Sequence, residues 1–115
     1  MLPRINRLGR QKDFKNIFSF GRVAQAPDLV LRFNRNDLDS ARFGLVIGLV
    51  VDKKATVRNR LRRQVSEIIR NNLKNITPGF DIVLVAKPAL AKKSFKEIEK
   101  EVTALFQKTE LFIKS

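Results

Sequence analysis

Between Lys53 and Arg63 the chain reads Lys-Lys-Ala-Thr-Val-Arg-Asn-Arg-Leu-Arg-Arg, six cations in eleven residues with no acid among them. Four of the six are arginines. Their planar guanidinium matches two phosphate oxygens at once and can stack on a base. Such a density on one rigid segment repels itself, and an opposing polyanion relieves the strain by neutralisation and counterion release. A cationic run on a helix is most often a solvated face laced with acids at i,i+4. Here Glu67 is the only acid as far as Lys74, and the whole chain carries +13. The chemistry is therefore phosphate recognition, with Lys53, Lys54, Arg58, Asn59, Arg60, Arg62, Arg63 and Arg70 as candidate nucleic-acid contacts. Lys53 and Lys54 also stand where the free N–H groups of a helix start would add to an anion site. A membrane-surface helix fits less well, because its apolar face lacks Trp and Phe and is needed for the core.

Catalysis by the chain itself is disfavoured. The 115 residues contain no His and no Cys, which removes the usual general base and any metal site built from those ligands. Asp37 and Asp39 share one polar turn, and Glu97, Glu99 and Glu101 point to different sides of a helix as solvent partners of Lys96 and Lys100. Neither group converges as a two-metal nuclease requires. No catalytic residue and no metal ligand is expected in this chain.

Charge is unevenly spread: residues 1–22 carry +5, 53–74 carry +7 and 87–115 carry +3, while 23–52 and 75–86 each carry −1. The near-neutral blocks read as strands and the basic ones mostly as helices. Phe14, Ile17 and Phe18 share one face of a helix over Gln11 to Phe20, which Gly21 closes as a C-terminal glycine cap. Asp28 to Phe33 alternates as a strand. Phe43 to Val51 is apolar on both faces and reads as a central strand, paired with the first as an antiparallel hairpin. Val57, Leu61, Val65, Ile68, Ile69 and Leu73 give the basic helix, Thr56 to Leu73, its buried side. Ile82 to Ala86 is a third strand, and Ser94-Phe95-Lys96-Glu97 is a capping box opening the last helix.

With one short strand near residues 22–26, the order is α-β-β-(β)-α-β-α. This is an α+β class chain, a two-layer α/β sandwich of a small mixed sheet with helices packed on it. Residues 1–115 read as a single RNA-binding domain. No run is long enough to span a membrane and the first residues lack the apolar core of a signal peptide, so the expected location is cytoplasmic. RNA is favoured over duplex DNA because Phe14 and Phe18 lie near Lys12, Lys15 and Arg22, where aromatic rings can stack on unpaired bases. The same spacing fits rings turned into the core, and the pattern leaves both open.

Lys54-Ala55, Arg58-Asn59-Arg60 and Leu61-Arg62-Arg63 together resemble the signature of the bacterial ribonuclease P protein subunit. Asn6-Arg7-Leu8 with Asp13-Phe14, Ile17-Phe18 and Gly21 is similar to that family's N-terminal helix. Val30-Leu31, Arg42-Phe43-Gly44-Leu45 and Val85-Ala86-Lys87-Pro88-Ala89 resemble its strands, in the same order. The resemblance implies an accessory subunit of an endoribonuclease. A catalytic RNA carries the chemistry, with magnesium held mainly by that RNA, and removes the 5′ leader of precursor tRNA; this chain alone is inactive. It also implies that the arginine-rich helix meets the catalytic RNA and that a cleft lined by Phe14, Phe18, Arg32 and Lys87 holds the single-stranded leader. No obligate protein partner and no membrane contact are implied. The fold implied is of ribosomal-protein type, with a left-handed β-α-β crossover through the basic helix where general chirality favours a right-handed one. Three departures stand out. Leu49-Val50-Val51-Asp52 replaces a basic strand end, Ala86 stands where the family often has Arg, and Arg32 stands where it has a cleft-facing Tyr. The alternative is a non-catalytic RNA-binding structural protein of ribosomal type.

Overall fold

The computed structural model describes residues 2–113. Helix α1 spans Gln11–Phe20, and strands β1 (Arg22–Gln25), β2 (Leu29–Arg35) and β3 (Arg42–Val46) follow. Helix α2 runs Ala55–Asn72, β4 Phe80–Ala86 and α3 Phe95–Lys108, with short 3-10 turns at Arg4–Asn6, Leu73–Asn75 and Pro88–Lys92. One four-stranded mixed sheet has the order β1-β2-β4-β3. β4 runs antiparallel to β2 and parallel to β3, so β3-α2-β4 is a parallel crossover.

Two faces of that sheet hold two apolar clusters. Leu29, Leu31 and Phe33 of β2, Ile82 and Leu84 of β4 and Phe43 of β3 face Leu61, Val65, Ile68 and Ile69 of α2 and Ile98, Val102, Leu105 and Phe106 of α3. The alternate residues form the other face, where Val83, Leu8 and Ile17 are buried with Phe14, Val46 and Val85 at their margin. Helices α2 and α3 thus make the second layer, and the ten-residue α1 covers part of the reverse face.

The expected hairpin between the strands at residues 28–33 and 43–51 does not form. β4 is inserted between them, pairing Arg32 with Val83 on one side and Val83 with Gly44 on the other. The polar segment 36–41 therefore crosses the end of β4 instead of turning a hairpin. Asn36 N–H donates to the Gly79 carbonyl at 3.0 Å, and Gly79 N–H to that of Ser40 at 3.2 Å. Gly79 has φ +87, a conformation that favours glycine. Nor is β3 central. It is an edge strand, apolar on both sides because α2 lies under Phe43 and the α1 layer over Gly44. Its run stops at Val46, since residues 48–51 form a turn closed by Val51 N–H on the Gly48 carbonyl at 3.0 Å. Ile47 and Val51 anchor this turn inward and leave Leu49 and Val50 exposed.

Gly21 follows α1 without the left-handed cap conformation; its φ of −76 suits any residue. Space is what excludes a side chain there, because a Cβ would collide with the Ile17 carbonyl oxygen and lie 3.0 Å from that of Phe33. Glu101 is not a solvent partner of lysine either, but accepts the Asp28 N–H at 2.9 Å. Burial first, and then Asp28, push its carboxyl above the usual range. The stability it lends is thus full below the ordinary glutamate range and is lost as pH rises through the raised value.

The capping box forms as the pattern predicts. Glu97 N–H donates to Ser94 Oγ at 3.2 Å and Ser94 N–H to Glu97 Oε1 at 2.9 Å. Ser94→Ala is expected to cost about 1 kcal/mol, read as a lowered urea midpoint with unchanged slope.

Candidate nucleic-acid interface

Burying Leu61, Val65, Ile68 and Ile69 against the sheet fixes the rotation of α2. Asn59, Arg60, Arg62, Arg63 and Arg70 are consequently exposed and Arg58 is half-buried at the edge. The helix has no side-chain cap and no acid in its first turn. Lys54 is its N-cap, and Lys53 and Lys54 are exposed just before it. Asp52 adds its charge at this end, but Oδ1 accepts the Lys54 backbone N–H at 2.8 Å.

Carbonyl oxygens hold three of these guanidinium groups. Arg58 Nη1 donates to the Asp52 and Lys53 carbonyls, both at 2.9 Å, Arg60 Nη2 to that of Ala91 at 3.0 Å, and Arg62 Nη2 to that of Ile47 at 3.4 Å. A carbonyl orients a guanidinium without cancelling its charge, so the positive field of the helix survives folding. Of the eight residues singled out on and before this helix, Arg70 alone has a carboxylate within ion-pair range among the described residues, Glu67 at 3.8 Å. That pair is exposed and i,i+3, so it contributes little.

The reverse face carries the second cluster of expected residues. Register places Val30, Arg32 and Asn34 of β2 beside Val85, Val83 and Asp81 of β4, and these beside Val46, Gly44 and Arg42 of β3. Phe14 settles over Gly44, where an added Cβ would lie 2.5 Å from its ring. Phe18, one turn on, is 43% exposed. The Arg32 guanidinium carbon lies 5.1 Å from the centroid of its ring, a cation–π stack. The spacing of Phe14, Ile17 and Phe18 thus resolves into one buried residue, one half-buried ring and one open ring. Lys87 is drawn to the far end of β4, where Nζ donates to the Ala26 carbonyl at 3.1 Å. Phe18 and Arg32 come together, Phe14 lies on the same face over β3, and Lys87 braces the turn between β1 and β2.

Two features escaped the sequence reading. A groove along the β3 edge joins the two faces, lined by Arg7, Phe14 and Gly44 on one side and by Arg62 and Ser66 on the other. Beneath α1 sits an ionic cluster. Arg42 Nε and Nη2 donate to the two carboxylate oxygens of Asp81 at 2.8 and 2.6 Å, and Asn36 Nδ2 donates to Asp81 Oδ1 at 2.9 Å. The hydrogen bond it donates to Asp81 drives the Arg42 guanidinium above its ordinary value. Its signal in the sequence was a lone acid in an otherwise apolar strand. Among the described residues no group of three or more acids, histidines or cysteines is placed to hold a metal ion.

The family model described as Ribonuclease P matches residues 2–110. The chain belongs to the ribonuclease P protein family. Its coarse role follows: a protein part of an endoribonuclease holoenzyme that contains RNA and acts in tRNA processing. The ribonuclease P protein component of Synechocystis sp. is 34% identical over 106 residues, covering 91% of this chain and 86% of that one. The ribonuclease P protein of Thermotoga maritima is 34% identical, with a TM-score of 0.79 over 89% of this chain and 96% of that one. A mutant of the Staphylococcus aureus protein is 20% identical and shares the fold, with a TM-score of 0.89 over 95% of this chain and 92% of that one. No helix among the described residues is long and apolar enough to cross a membrane.

Proposed function

We propose that this chain is a single RNA-binding domain with two working faces. α2, with Lys53, Lys54, Arg58, Asn59, Arg60, Arg62, Arg63 and Arg70, docks on the catalytic RNA of ribonuclease P. The reverse face, with Phe14, Phe18, Arg32 and Lys87, receives the single-stranded 5′ leader of precursor tRNA. The RNA cuts the leader using magnesium it holds itself, in the cytoplasm and without an obligate protein partner. The chain supplies charge neutralisation and alignment and is inactive alone. The observation that carries the reading is that Arg58, Arg60 and Arg62 of α2 are anchored by carbonyls, not neutralised by carboxylates. The open Phe18–Arg32 stack favours it over a purely structural RNA-binding role, because burial does not account for that ring.

Reconstitution with the catalytic RNA tests it directly. Cleavage of precursor tRNA at low magnesium should rise on adding the protein; no enhancement overturns the proposal. Affinity for the RNA should fall steeply with salt, and Arg60→Ala should flatten the log–log slope by about one unit or less. An affinity that ignores salt contradicts phosphate neutralisation. Phe18→Ala should fold like the parent and lose roughly tenfold in leader affinity, within the about 1–3 kcal/mol that a base–ring stack contributes. A Phe18→Ala protein that unfolds while its folded fraction binds leader normally assigns the ring to the core.

A further inference from the structure

We propose that Arg42 is a positioning residue for leader recognition. Gripped by Asp81 on β4, it fixes the first turn of α1 through Asp13 and so sets where Phe14 and Phe18 stand over the sheet. The inference rests on the leader reading above and adds the device that makes the cleft stiff.

Burial alone holds α1 weakly. Of its ten residues only Ile17 is fully buried, and the cluster it joins is small. A helix of this length is marginal by itself, so its pose depends on discrete anchors. Gly21 fixes its far end against the backbone and Phe14 rests in the notch at Gly44. At the near end the anchor is ionic. Both parallel bonds to Asp81 use Nε and Nη2 of Arg42, which fixes the plane of the fork and aims Nη1 away from Asp81. That nitrogen lies 3.5 Å from Asp13 Oδ2. The same oxygen is shielded from solvent and accepts no hydrogen bond. Charge attraction to Arg42, together with the positive end of α1, compensates it for lost water. Without that attraction Oδ2 regains water as the first turn of α1 lifts from the sheet. Asp13 adjoins Phe14 and lies five residues before Phe18, about 7.5 Å along the helix axis, so a lifted first turn displaces both rings.

The test uses the reconstituted holoenzyme and two precursor tRNAs, one with a long leader and one with a single leader nucleotide. Asp13→Asn keeps the Arg42–Asp81–Asn36 contacts and buries no new charge, so it should melt close to the parent. It should raise KM for the long-leader substrate by roughly threefold to tenfold, with kcat, the short-leader KM and affinity for the catalytic RNA unchanged. Arg42→Lys keeps the charge but loses the fork, and should show the same split. If the parent protein itself does not favour the long leader, the leader reading fails. If it does and both variants match it, that reading stands and the positioning role is overturned. Equal loss on both substrates, or a matching loss of affinity for the catalytic RNA, overturns it too, since a general structural defect acts on every step alike.

Discussion

Arg42→Ala should lose about 3 kcal/mol of folding stability. The substitution leaves the Asp81 carboxylate buried on a central strand with Asn36 as its one remaining side-chain donor. A desolvated charge without its counter-charge is what makes half of an ion pair so costly to keep. For a chain of 115 residues that loss corresponds to a fall of about 12 °C in Tm. Removing both partners by Arg42→Leu with Asp81→Leu should cost less than Arg42→Ala alone, because only the partly exposed Asp13 carboxylate, and no longer the buried one of Asp81, then lacks its counter-charge. A thermal melt of the three proteins decides the matter; an Arg42→Ala protein that melts with the parent would show that Asp81 is solvated after all.

Gly21→Ala should cost about 2–3 kcal/mol although its backbone conformation suits alanine. The new Cβ meets carbonyl oxygens of Ile17 and Phe33, which belong to α1 and β2 and cannot rotate away as a side chain could. Relief requires α1 to separate from the strand that follows it. Gly48→Ala is the matched comparison, since nothing lies within 4 Å of its added Cβ. It should be neutral or slightly stabilising through the unfolded chain. Equal urea midpoints for the two variants would refute the close-approach argument.

What the sequence made legible was local. The period of Leu61, Val65, Ile68 and Ile69 placed α2 and its outward arginines, and the Ser94–Glu97 spacing placed the start of α3. Alternation at Leu29, Leu31 and Phe33 placed β2. The errors came where one segment takes its meaning from a distant one. An apolar run at residues 43–51 reads as a central hairpin partner when only neighbours in sequence are weighed, but β4 takes the intervening place. Arg42 and Asp81 are 39 residues apart, so no spacing rule connects them. The carbonyl anchors of Arg58, Arg60 and Arg62 escaped for the same reason, because a carbonyl has no residue-type signature. The cation density of α2 needed no such knowledge. Phe18 was undecided until the stack with Arg32 gave its ring an open side.

The insertion of β4 between β2 and β3 also orders events in time. β1 and β2 can zip locally, but β3 has no strand to join until the chain has travelled through all of α2. Closing that long loop is an entropic toll that slows folding relative to a meander of the same size. On an emerging nascent chain, the arginine-rich stretch is made and out in water before the strand that completes its platform exists. The part of the molecule most attractive to polyanions therefore stands in water before its support is complete.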